Sequence, residues 1–247
     1  MKSLSKMAWM EAKLFLREPA SAFFTLVFPL IYLFLFGAIG GNEPSPMYGG
    51  RRTIEAAIPS LTAVIICMTG LMSTTITMAT YREKGILRRL RTTPVSPLVV
   101  LAAQVIVVFA MTFLGMLLLV SAGELVYHVR FEGNALSLLG GFILSSLGFF
   151  GIGFILAGSM PTVRTAWVIA MVILYPMLLL SGAFFSVEVL PEAVQRISAF
   201  MPLTYVVNLL NGLWAGEPWG KHLLDVGVLV GMLALGTFVS ARTFRWE

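Results

Sequence analysis

The side chains best equipped for chemistry crowd into one stretch, YREKGILRRLRTTPVSP at residues 81–97, where Arg82, Lys84, Arg88, Arg89 and Arg91 flank a single acid, Glu83. Guanidinium and ammonium groups donate hydrogen bonds and accept none, so such a cluster suits headgroup phosphates or the surface of a docking partner. Covalent or hydrolytic chemistry finds little elsewhere. The nearest approach to a phosphate-cradling GK[ST] loop is GEPWGK, Gly216–Lys221; it is one residue short and is followed by His222 instead of Ser or Thr. His128 and His222 are the two histidines, expected in exposed loops and too few for a metal site. The acids sit in loops, away from any Ser or His that a triad would need, and Cys67 has no second cysteine to pair with. The expectation is therefore a chain that is not an enzyme and binds no cofactor of its own.

The elements that must hold the basic stretch are read from composition. Of the residues, 58% are hydrophobic and 12% charged, with a mean hydropathy of +0.90, against about 25% charged residues in an ordinary soluble domain. That makes an all-α polytopic membrane protein, one transmembrane domain over 1–247 with no soluble unit large enough for catalysis. Apolar runs long enough to cross the hydrocarbon core, roughly 20 residues, fall at Ser21–Gly41, Ile58–Thr80, Leu98–Ala122, Leu136–Ser159, Ala166–Phe185 and Leu223–Ser240. A further run, Ile197–Trp214, contains Pro202, Asn208 and Asn211, whose polar demands lipid cannot meet.

Charge orients the bundle. Six spans put Lys2, Lys6, Lys13, Arg17, the 81–97 cluster, Arg164, Arg242 and Arg245 on one side, which the positive-inside rule makes cytoplasmic, with both termini. A seventh span would carry Arg242 and Arg245 out, so residues 186–214 are read as an external re-entrant hairpin. The expected location is a bacterial-type inner membrane. At the N-terminus, residues 1–19 carry charges among their apolar positions and no A-x-A site, unlike a cleaved signal. They form an amphipathic helix, with Lys2, Lys6, Lys13 and Arg17 in one sector and Leu4, Met7, Ala8, Leu14 and Phe15 opposite, expected to lie at the interface against membrane lipids. Glu11 and Glu18 fall on the apolar side. That predicts a protein contact with a basic or hydrogen-bonding group near Glu11.

Three readings are open for residues 81–97: a topology anchor, a lipid-headgroup patch, or a docking helix for a cytoplasmic partner. Lys84, Arg88 and Arg91 at i, i+4, i+7, with Ile86, Leu87 and Leu90 as an apolar component and Thr92-Thr93-Pro94 as a stop, predict a short helix over 81–91. Charge alone accounts for the first two readings but not for this pattern.

REKGILRRLRTTPVSP followed by LVVLAAQVI resembles the cytoplasmic loop of type-2 permease subunits of ABC exporters. SGAFFSVEVLPEAVQRISAFMPLTYVVNLL at 181–210 and FLREPASAFFTLVFPLIYLFLFG at 15–37 resemble the same family's segment after the fifth span and its start of the first. The resemblance implies two permease subunits, a homodimer here or a pair of similar chains, and two cytoplasmic ATP-binding-cassette subunits that carry the ATP and magnesium; nothing points to nucleic acid. It implies that the loop after the second span is the coupling helix, placing Glu83, Lys84, Gly85, Leu87, Arg88 and Leu90 in the ATPase contact. It also implies that the second and fifth spans face a central pathway, which Ser73, Thr77, Phe184 and Phe185 would line or gate. Such a wall, apolar with a few hydroxyls, fits a lipophilic or amphiphilic compound, and the TTPVSP form of the loop leans toward drug-type exporters. The alternatives are an ion-coupled carrier, disfavoured by spans that hold no Asp, Glu, Lys or Arg except Asp225, and a non-transporting membrane scaffold.

Overall fold

The structure is a computed structural model and describes residues 2–41, 43–45, 50–86 and 97–243. Helix α1, Lys2–Arg17, precedes six helices long and apolar enough to span a membrane: α2 (Phe23–Gly40), α3 (Thr53–Glu83), α4 (Val99–Tyr127), α5 (Ala135–Ser159), α6 (Val163–Leu180) and, last in the chain, α9 (Trp219–Ser240). Between α6 and α9 lie α7, Glu192–Ser198, and α8, Pro202–Trp214, bent by 91° to each other.

Helix α3 is the axis of the bundle. Its most apolar stretch is wholly buried, because α2, α4, α5, α6 and α8 all pack on it. At 31 residues it is about 46 Å long, five residues longer at its start and three at its end than the apolar run alone predicts. The extension follows from the neighbours: Thr53, Ile54, Ala56 and Ala57 are covered by protein, so the helix needs no lipid to continue. Its middle, Met68–Ser73, is wound as π-helix; such insertions in α-helices concentrate at functional sites.

Lipid tails offer no hydrophobic drive between spans, so close contact and hydroxyl bonds hold them. A Cβ on Gly151 would lie 3.1 Å from Cα of Gly236, and one on Gly153 would overlap the Gly70 carbonyl oxygen; α5 is thereby drawn against both α9 and α3. Thr75 Oγ1 donates to Gly153 O at 3.1 Å, and Thr112 bonds Thr69 at 3.0 Å, linking α3 to α5 and α4. Other hydroxyls of α3 turn inward on their own helix, as Thr69 does to Ile65 O and Thr80 to Ile76 O. Gly148 meets Leu229 and Gly151 meets Gly236, so α9 runs parallel to α5.

The hairpin returns to the side it starts from. Ser198, at the end of α7, donates to the carbonyl of Leu180, at the end of α6. After α8, Leu213 and Trp214 lie against Gly133, just before α5. Both points are at the end of the bundle where α3 begins, so Ile197–Trp214 does not cross.

Candidate functional site

Of the sequence-derived coupling and pathway residues, Glu83, Lys84 and Gly85 lie at the C-terminal end of α3, and Ser73 and Thr77 further back along it. At its C-terminal end the helix runs to Glu83 and stops in a turn at Lys84–Gly85, where Gly85 takes φ 64°, a left-handed geometry that glycine adopts freely. The continuous 81–91 helix is therefore corrected: Tyr81, Arg82 and Glu83 belong to the span, and Gly85 breaks it. Ile86 is helical again. Leu87, Arg88 and Leu90 lie outside the described residues, as do Arg89 and Arg91.

Arg82 and Glu83 reach neighbouring helices. Arg82 Nη1 donates to the carbonyls of Ala157, Gly158 and Met160 at 3.1, 3.3 and 3.0 Å. Glu83 Oε2 accepts from the backbone N–H of Val163 at 2.7 Å. Ala157 and Gly158 close α5 and Val163 opens α6, so these are the carbonyls and the N–H that helix ends leave unpaired.

The predicted partner for Glu11 is present. Glu11 is 7% exposed, and Tyr81 donates its hydroxyl to the Glu11 carboxylate. Met7, Glu11 and Phe15 form the inner stripe of α1, which packs along α4, while Trp9, Met10, Leu14 and Leu16 stay exposed. Burial raises the Glu11 carboxyl above its ordinary range; the Tyr81 bond pulls the other way and is the weaker influence.

Beside this contact is a cavity of about 480 Å³, walled by α1, α3, α4 and α6. Ser73, Thr77 and Thr80 line it together with Glu11, Trp167 and Gln104. Gln104 is one residue that sequence reasoning missed. It is 2% exposed, and neither atom of its amide has a hydrogen-bond partner; the signal was a lone amide inside the apolar run 98–122.

Phe184 and Phe185 are elsewhere. Helix α6 ends at Leu180, and the two rings sit in the bend after it, where Gly182 takes φ 85°. Phe184 packs on Tyr32 of α2 with centroids 5.3 Å apart, and Phe185 is 40% exposed. They do not share the cavity of Ser73 and Thr77.

A second cavity, about 750 Å³, opens at the hairpin end between α3, α8 and α9, with Ser60, Asn208, Asn211, Glu217, His222 and Asp225 in its wall. Asn211 donates to Ser60 at 2.9 Å, joining α8 to α3. His222 is not the exposed loop residue expected: it is buried, with Nδ1 2.9 Å from Asp225 Oδ2 and Nε2 3.0 Å from Glu217 Oε2. The imidazole fits only because residue 212 is glycine, where a Cβ would overlap the ring. Lys221, bonded to Glu217 at 3.2 Å, leads in lowering that carboxyl's pKa. Among the described residues no group of three or more His, Cys, Asp or Glu is placed to hold a metal.

The model of the ABC-2 type transporter family matches residues 3–213. The chain belongs to that family. Its relatives include nodulation protein J of Rhizobium leguminosarum bv. viciae, 31% identical over 102 residues, which are 41% of this chain and 39% of that protein. Over 92% of this chain and 79% of the relative, it is 24% identical to ycf38 of Porphyra purpurea, named a transport permease. YbhR of Escherichia coli K12, named a multidrug ABC transporter permease, is 21% identical over 64% of this chain and 43% of its own length. The chain is thus a multi-pass permease subunit of an ABC-2 transporter, the membrane part and not the ATPase.

Proposed function

We propose that this permease is the membrane half of an ATP-driven exporter that moves a lipophilic or amphiphilic compound out of the cytoplasm. Two copies pair as a homodimer, and two cytoplasmic ATP-binding-cassette subunits, which hold the ATP and magnesium, dock on the loops at the α1 end. The family match over residues 3–213 is the observation that carries this reading. The distribution of charge supports the orientation: α3, α5 and α9 end where α1 lies, so Lys13, Arg17, Arg82, Lys84, Arg164 and Arg242 gather there, as cytoplasmic loops require.

The loop from Glu83 through Lys84, Gly85, Leu87, Arg88 and Leu90 is the coupling contact. Ser73 and Thr77 line the inward chamber, and Phe184 and Phe185 stand at the far end as an outer gate. The chamber's wall supports an amphiphilic cargo: Ile76, Val107, Val108 and Trp167 offer an apolar surface, with hydroxyls, the Glu11 carboxyl and the Gln104 amide interspersed.

The test is reconstitution. Proteoliposomes with the chain and an ATP-binding-cassette subunit that copurifies with it from native membranes are expected to extrude a fluorescent amphiphilic dye only with ATP and magnesium, and the chain alone to hydrolyse no ATP. Dye movement driven by an imposed pH or sodium gradient, indifferent to ATP, would overturn this reading in favour of a carrier.

A further inference from the structure

The last two residues of α3 carry opposite charges in an order that matches the helix ends they touch. A helix presents a partial negative charge at its C-terminal carbonyls and a partial positive one at its N-terminal N–H groups. Arg82 lies on the C-terminal carbonyls of α5, and Glu83, the next residue, on the N-terminal N–H of α6. Between those ends are only residues 160–162, and Met160 O is itself held by Arg82. The remaining cap of α6 is local: Thr162 accepts from the N–H of Thr165 at 3.2 Å. One dipeptide of the second span thus grips both sides of the turn between the fourth and fifth. Beyond it, past Lys84, is Gly85, in its left-handed turn, and then the loop assigned above to the ATPase.

We propose that Arg82 and Glu83 are positioning residues that tie α3, α5 and α6 into one body at this end, so that displacement of the loop after Gly85 moves the fourth and fifth spans together with the second. Packing along α3 already couples it to α5 and α6; the tether adds a fixed point at the end where the loop begins, and from there α6 runs to the bend holding Phe184 and Phe185. The transmission rests on the coupling reading; the tether does not.

The deciding variant exchanges the two charges, Arg82→Glu with Glu83→Arg. It keeps net charge, and hence the positive-inside signal, while setting the wrong sign against each helix end. In nanodiscs holding the chain alone, amide exchange at Val163 and across 161–166 is expected to quicken at least tenfold, with residues 204–214 unchanged. In the complex with its ATPase, hydrolysis should persist while ATP consumed per molecule exported rises several-fold. Glu83→Gln, which removes one exposed contact and does not threaten folding, should show about a threefold effect on exchange, and Glu83→Asp should restore most of it. Unchanged exchange at Val163 in both Glu83→Gln and the exchanged pair would overturn the tether. Faster exchange with an unaltered ATP-to-cargo ratio would overturn the transmission. Failure of any ATPase to act with the unaltered chain would instead count against the exporter assignment, leaving the exchange result to decide the tether.

Discussion

The two ends of the bundle use their ionisable groups in opposite ways. At the α1 end, Arg82, Glu83 and Glu11 bind partners 70 to 80 residues away in sequence, and for Arg82 and Glu83 those partners are backbone groups of other helices. At the hairpin end, Glu217, Lys221, His222 and Asp225 bind one another within a few residues. The first arrangement fixes helices relative to each other; the second stiffens one connection, while at that end the ties between elements come from neutral groups, Asn211 to Ser60 and Ser198 to the Leu180 carbonyl. On the reading proposed above, transmission between spans is assigned to the α1 end.

The largest effect that would break this contrast is expected from Arg82→Gln. Three carbonyls lose a charge-assisted donor, each such bond being worth about 1.5–3 kcal/mol before solvent screening. A loss of about 3 kcal/mol in thermal or denaturant unfolding is expected, with exchange spreading through 157–163. Next is Gly212→Val. Its side chain would occupy the space of the His222 ring, and overpacking of this kind costs about 1–3 kcal/mol. Proteolysis and exchange should rise in 202–225 and stay unchanged at 157–163; a rise at both places would mean the ends are not independent.

A smaller effect concerns Glu11. A carboxyl whose pKa rises on docking favours the docked state below its ordinary 4.5, and that advantage fades as pH climbs through the raised value. Docking of α1, followed by Trp9 fluorescence, should weaken from acid toward neutral pH. In Glu11→Gln, which stays neutral and can still accept from Tyr81, the docking should be flat with pH. The smallest effect is expected from Lys221→Ala. The Lys221–Glu217 pair is solvent-exposed, so less than about 1 kcal/mol should be lost, with the loss shrinking in high salt.

Much of the fold was legible because lipid imposes a coarse rule, roughly 20 apolar residues per crossing. That rule found all six spans, but not all their ends: α3 starts five residues earlier, at Thr53, and runs on to Glu83, α4 runs five further than Ala122, to Tyr127, and α6 stops five short of Phe185, at Leu180. Glu11 was legible as an acid on an apolar face, which demanded a partner; that the partner is Tyr81 was not, since 70 residues separate them. The sequence reads Arg82 as part of the basic cluster and Glu83 as part of the ATPase contact, because nothing local shows that a backbone carbonyl or N–H of another helix lies in reach. His222 had a nearer signal in Glu217 and Asp225, five before and three after it in the chain. In the sequence Glu217 reads as a solvated loop acid and Asp225 as the edge of the last span, so neither points to His222. Ser73 and Thr77, one turn apart, do share a cavity, but Gly182 ends the fifth span before Phe184 and Phe185 can stand beside them.

The most direct test of the claim that the α1 end is driven by the ATPase is photo-crosslinking in native membranes. The photoreactive residue p-benzoylphenylalanine is placed at position 84, in the turn after α3, or at position 192, at the start of α7, with transport retained in both. The account predicts an ultraviolet-dependent adduct between position 84 and the ATP-binding subunit, and none from position 192. An adduct from 192, or none from 84 in a complex that still copurifies and transports, would contradict it.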